Sequence, residues 1–193
     1  KYSDFYHLPV KPDGACFFNA ISGIFHLESK MKKRKNHMIT YKIDSKMLIN
    51  ISNRMPKVKF ILAPHEIELC DDLKKYGLLY SQANKDNVKN HSILIIDSIG
   101  ILSQLYQYAT LSYIGGAFGK GLHNILEAIA FGSYVLFGPK FHKYKEANEA
   151  ILVGIAQSIK SEYELETAIK KHIDNSSHSK NDAVAFISKN KGA

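Results

Sequence analysis

The chain has 193 residues, 45% hydrophobic and 23% charged, with no Trp but eleven Tyr and ten Phe; this is an ordinary balance for one globular domain and a short length for two. Its two cysteines, Cys16 and Cys70, make no metal or redox spacing, and no apolar run approaches the roughly 20 residues of a membrane span. A cysteine metal site and a spanning helix are thereby excluded, no signal peptide is visible, and a reduced, cytoplasmic protein is expected.

The formal charge of +8 is uneven: residues 1–60 carry twelve Lys/Arg against four Asp/Glu, whereas residues 61–193 carry fourteen of each. A basic face centred on "KMKKRK" (30–35) can meet nucleic acid, anionic lipid headgroups or a phosphorylated substrate. It can equally be a solvated segment with no partner. Within this front third, "ACFFNAISGIFHL" (15–27) reads as helical, and "KMKKRKNHMITYKID" shows no clear period. Residues 1–56 are therefore read as a separate, irregular basic segment.

From residue 57 the pattern becomes regular. "VKFILA" (58–63) reads as a strand and "EIELCDDLKKYG" (66–77) as a helix ended by glycine. "SILIID" (92–97) is a second strand, followed by a helix through "ILSQLYQYA" (101–109). "LSYIG" (111–115) is a third strand and "HNILEAIAFG" (123–132) a third helix. "YVLFG" (134–138), "KYKEANEAILVG" (143–154) and "IAQSI" (155–159) continue as strand, helix and strand. "SEYELETAIKKHI" (161–173) and "KNDAVAFISK" (180–189) are terminal helices. Apolar strands alternating with helices predict an α/β fold, a Rossmann-like doubly wound parallel sheet over 57–193. Ligands of such sheets sit beyond the carboxyl ends of the strands, so a site should draw on loops 64–66, 97–100, 115–123 and 138–142.

One of these loops is rich in chemistry. In "YIGGAFGKGLHNILEAIAFG" (113–132), Gly115 and Gly116 end a strand, Gly119 and Gly121 keep the loop open, and His123 and Asn124 stand at an expected helix start. Backbone amides at such a start attract anions. Glu127 falls one turn on, where a carboxylate can accept both hydroxyls of a ribose. The same Asn-x-x-Glu spacing is also a capping box, in which both side chains merely satisfy backbone donors.

"ILAPHE" (61–66), "IIDSIGILSQLYQYAT" (95–110), "YIGGAFGKGLHNILEA" (113–128) and "FGPKFHKYKEA" (137–147) follow one another in order. Together, over about residues 46–170, they resemble the carboxyl-terminal domain of the 3-deoxy-D-manno-octulosonic acid (Kdo) transferases of lipopolysaccharide synthesis. The resemblance implies one half of a GT-B fold, with the donor CMP-Kdo bound mainly by this domain and no metal or other cofactor needed to bind it. It implies an inverting transfer to a lipid A precursor at the cytoplasmic face of the inner membrane. The basic front segment would suit that anionic acceptor and membrane, and no nucleic acid partner is expected. By the same resemblance His123 and Asn124 lie near the donor phosphate, and Glu127 holds the ribose of CMP. Gly116, Ala117 and Phe118 form the turn over the donor, His65 lies near the nucleotide, and Gly138 and Pro139 lie on the far side. Asp97 is a second-tier candidate. Read without the resemblance, His65 is a loop histidine, Gly138-Pro139 a turn, and Asp97 the cap of the next helix.

The chain departs from the family's pattern in places. Gly121-Leu122-His123-Asn124 stands where many members read Gly-Gly-His-Asn, and Ile101 where many carry an acid. The family's amino-terminal domain, with its acceptor groove and general base, does not fit in the fifty-odd residues at the front. The serine- and tryptophan-bearing donor loop expected before "SKMLINI" is also missing. Donor binding without catalysis is therefore an alternative reading. A third comes from "YHLPVKPDGACFFNAIS" (6–22), which resembles the nucleophile motif of the ovarian-tumour (OTU) cysteine deubiquitinases. Cys16 would match the nucleophile and Asp13 the motif's aspartate, but the downstream histidine strand that would deprotonate the thiol is lacking. Cys16 also reads as a small apolar residue on a helix.

Overall fold

The computed structural model describes residues 21–27, 34–64, 66–84, 86–119, 121–174 and 180–190. Short runs, most of them rich in aliphatic and aromatic residues, form the strands: β1 (Ile21–Leu27), β2 (Lys59–Pro64), β3 (Leu78–Leu79), β4 (Ile93–Ile95), β5 (Leu111–Ile114), β6 (Tyr134–Phe137) and β7 (Ala156–Ser158). They make one sheet in the order β3-β4-β2-β1-β5-β6-β7, with every pairing parallel. Each of β4, β5 and β6 is buried along its whole length, as a parallel sheet covered on both faces requires.

Alternate side chains feed two cores. Ile61, Leu94, Ile114, Val135 and Phe137 face one, where α3 (Leu102–Leu105), α4 (Leu126–Ala130), α5 (Lys145–Leu152) and α7 (Lys180–Lys189) pack. Phe60, Leu62, Ile95, Tyr113 and Leu136 face the other, under α1 (Arg34–Arg54), α2 (Cys70–Leu73) and α6 (Glu162–Asp174). The exposed ends of α1 and α6 are tied by Arg54, which donates to Glu162 and Glu166 at 2.7 Å each.

The front third differs from its sequence reading. Residues 21–27, expected within a helix, form the central strand, in register with β2 on one side and β5 on the other. Residues 34–54, for which no period was legible, form the long helix α1. The sheet thus crosses the boundary drawn at residue 56. Pairing on both edges outweighs local propensity here. Two smaller differences concern helices. The one expected over 66–77 reduces to a 3₁₀ turn (Ile67–Leu69) and the single turn of α2. The one expected from residue 123 begins only at Leu126, with Ile125 as its N-cap.

Candidate functional site

The strand order reverses direction around β1: β2, β4 and β3 lie to one side, β5, β6 and β7 to the other. Such a switch point leaves a crevice at the carboxyl edge where ligands of open α/β sheets bind. The glycine loop leaves β5 at that point. Gly116 adopts φ +91°, and a β-carbon there would strike the Gly121 carbonyl and sit 2.8 Å from His123 Nε2. Only glycine lets the loop fold back so closely. The turn is closed by Gly119 N–H donating to the Gly116 carbonyl at 2.8 Å.

The loop after β6 packs directly on this turn. A β-carbon on Gly138 would lie 2.8 Å from the backbone of Ala117 and Phe118, and Lys140 N–H donates to the Ala117 carbonyl at 2.9 Å. Ala117 is fully buried in one core and Phe118 packs against the other. Both therefore anchor the turn, and Ala117 offers the edge its backbone alone. Pro139 is half-buried beside them. The structure thus brings Gly116, Ala117, Phe118, His123, Gly138 and Pro139 into one cluster.

Asn124 and Glu127 are exposed next to it, and His123 is half-buried. Asn124 Oδ1 accepts the Leu126 amide at 3.0 Å, and its Nδ2 lies 3.5 Å from Glu127 Oε1. Asn124 therefore bonds the first helical amide from outside the helix, while Ile125 holds the N-cap position without a side-chain bond. The reciprocal bond of a capping box, Glu127 to the Asn124 amide, is replaced by this long side-chain contact. That leaves the Glu127 carboxylate facing solvent at the crevice. Because α4 has only five residues, its dipole is small, and the loop's own amides must supply most of any anion attraction.

Asp97 sits at the end of β4 and has a different task. Its carboxylate accepts both the backbone amide (2.9 Å) and the hydroxyl (2.5 Å) of Ser81, which ties the loop after β4 to the turn after β3. His65 lies outside the described residues. Cys70 is buried against the Ile96 carbonyl, 3.5 Å away. Burial, with Asp97, Asp71 and Glu68 nearby, pushes its thiol up to about 11, so it is no nucleophile.

Two contributors escaped the sequence reading. Tyr144 places its hydroxyl against Gly121, with the Lys143 ammonium 3.6 Å from that glycine's would-be β-carbon. Asp44 reaches the loop from α1. It is fully buried, accepts the Tyr113 hydroxyl at 2.6 Å and accepts the Gly116 amide at 3.2 Å. Its signal was present: Met47, Leu48 and Ile51 stand three, four and seven residues on, all buried, so Asp44 shares the inward face of a helix.

A cavity of about 580 Å³, lined by Ser52, Lys74, Tyr76, Asn90 and His91 among others, opens where β3 and β4 begin. It lies at the opposite, amino edge of the sheet, away from these loops.

No family model matches the chain. The chain is 32% identical over 124 residues to the 3-deoxy-D-manno-octulosonic acid transferase of Rickettsia typhi, a match covering 58% of this chain and 27% of that protein. The enzyme of the same name from Aquifex aeolicus is 29% identical over 123 residues, covering 62% of this chain and 35% of that one. This chain is a homologue of part of the Kdo transferases. It spans about a quarter to a third of the length of these relatives.

Among solved structures, the carboxyl-terminal CMP-Kdo binding domain of WaaA from Acinetobacter baumannii superposes with a TM-score of 0.64 at 16% identity, covering 90% of both chains. WaaG, a glycosyltransferase of lipopolysaccharide biosynthesis, gives 0.54 at 12% identity, with 94% of this chain matching 45% of that one. The fold is therefore half of a GT-B glycosyltransferase, as the order of motifs implied. Nothing in these comparisons supports the OTU-like reading of residues 6–22, and Cys16 lies outside the described residues. Among the described residues no helix is long and apolar enough to cross a membrane.

Proposed function

We propose that this chain is the donor-binding half of a Kdo transferase and that CMP-Kdo occupies the carboxyl edge of the sheet between β5 and β6. The observation that carries the reading is the homology to Kdo transferases, joined to the switch-point edge of the sheet where the glycine turn meets exposed Asn124 and Glu127. In this reading the phosphate lies against the amides of the loop from Gly116 to Asn124, beside His123. The Glu127 carboxylate accepts the ribose hydroxyls. Gly138 and Pro139 form the far wall. As the anomeric bond breaks, negative charge gathers on the departing phosphate, and the loop's fixed amides stabilise it.

The acceptor is the lipid A precursor, reached at the cytoplasmic face of the inner membrane. The excess of lysine and arginine in residues 1–60 complements both anionic partners. Transfer also needs a base to take the acceptor's proton. No residue at this edge is assigned to it, so the role proposed for this chain is donor binding. Calorimetric titration with CMP tests it, with UMP as the comparison. One CMP per chain, bound more tightly than UMP, is expected. Absence of CMP binding at millimolar nucleotide would overturn the proposal.

A further inference from the structure

The glycine loop is held from below by a group that belongs to neither of the loops around it. Asp44 projects from the middle of α1 into the core under β5, where it is fully buried. One carboxylate oxygen accepts the Tyr113 hydroxyl at 2.6 Å, and the other accepts the Gly116 amide at 3.2 Å. Gly116 is where the chain turns with positive φ, and it lies so close to the Gly121 carbonyl and the His123 ring that a β-carbon there would strike both. Fixing this one amide therefore fixes where the loop returns and where His123 stands.

A burial of this kind is unfavourable in itself. Desolvation pushes the Asp44 carboxyl up from 3.8 to about 6, against the lowering effect of its bonds to Tyr113 and Gly116. An apolar side chain would pack at this helix position without that cost. A carboxylate has one property that an apolar residue or an amide lacks: two acceptor oxygens for two buried donors.

We infer that Asp44 is a positioning residue for the donor site, its carboxylate holding the Gly116 amide so that the loop from Gly116 to His123 keeps the shape that receives the nucleotide's phosphate. The inference rests on the nucleotide reading above. Asp44 does not touch the ligand; it acts through the turn.

The test is Asp44→Asn, an isosteric change that leaves one acceptor and sets an NH₂ group against one of the two donors. Amide hydrogen exchange over residues 115–123, CMP affinity and thermal stability are measured together, with Tyr113→Phe beside it as a variant that keeps the Gly116 bond. The expected result is that D44N folds with undiminished thermal stability, exchanges the Gly116 to Gly119 amides about tenfold faster, and binds CMP about tenfold more weakly. Y113F keeps both exchange and affinity close to wild type. Equal exchange and affinity in D44N and wild type would overturn the inference. So would parallel losses in D44N and Y113F, which mark a purely structural role.

Wild-type protein gives a reading that needs neither variant nor nucleotide. The Gly116 amide is bonded to a buried carboxylate, so it should exchange at least about tenfold more slowly than an unprotected loop amide. Exchange at the unprotected rate overturns the inference even if D44N does not fold. Failure of wild type to bind CMP overturns the nucleotide reading and the functional role with it, while exchange in D44N still reports whether Asp44 holds the turn.

Discussion

Glu127 stands exposed in the first turn of α4, with the Asn124 side-chain amide 3.5 Å from its carboxylate. Little of the fold depends on it, whereas the proposed ribose contact depends on it entirely. Glu127→Ala should leave the unfolding midpoint unchanged and weaken CMP binding by about 1.5–3 kcal/mol, the range for a hydrogen bond to a charged group. Isothermal calorimetry and a thermal melt on the same sample check both halves. Gly116 is the opposite case. Gly116→Ala sets a β-carbon into the Gly121 carbonyl and the His123 ring at φ +91°, whereas Gly154, at φ +77°, has open space around it. Urea unfolding should find both variants destabilised by strained backbone, about 1–3 kcal/mol each, with Gly116→Ala the larger and alone in losing CMP binding. Asp44 adds a pH signature. Its carboxyl rises from 3.8 to about 6 on folding, so the stability it contributes is present below 3.8 and lost as pH climbs through 6, about 3 kcal/mol in all. Lys170 beside Glu166, and Arg54 beside Glu162, hold those carboxyls below their usual range, which gives the opposite slope. That slope is common to wild type and Asp44→Asn. The stability difference between the two should therefore move in the variant's favour by about that amount from pH 4 to pH 7, as urea unfolding at several pH values would show.

At the scale of elements, legibility followed burial. Strands β2, β4, β5 and β6 are short and mostly apolar, and a run of that kind reads as a buried strand whatever its neighbours. Strand β1 could not be read this way. Its segment joins a stretch that looks helical, and what makes it a strand is parallel pairing with β2 and β5, partners found more than thirty and more than eighty residues along the chain. The start of α4 was placed three residues early because Asn124 carries a cap signal, and it does bond the Leu126 amide while remaining outside the helix. The candidate cluster was legible because glycines at a strand end have few other uses. Asp44 and Tyr144 were not seen, since each reaches the loop from an element distant in sequence. The link between α1 and α6 belongs to this scale as well. Arg54 makes two short contacts, to Glu162 and Glu166, but all three groups are partly or wholly exposed. Arg54→Ala should lower the urea midpoint only slightly, and less still in high salt, because the exposed pair is screened by solvent.

For the whole molecule, a seven-stranded parallel sheet with its switch point at β1 presents a carboxyl edge, proposed for the nucleotide, and an amino edge with a polar cavity. In a two-domain GT-B enzyme the donor edge faces a second domain across a cleft, and this chain matches a quarter to a third of its full-length relatives. A nucleotide that binds here should therefore occupy an open surface. The most direct test is a ¹H–¹⁵N spectrum of the chain titrated with CMP. The account predicts that the largest shifts fall on residues 115–127 and 138–144, saturate together, and need at least about tenfold more CMP in Glu127→Ala. Shifts centred instead on the amino-edge cavity near Lys74, Tyr76 and His91, or no shifts at all, would contradict it.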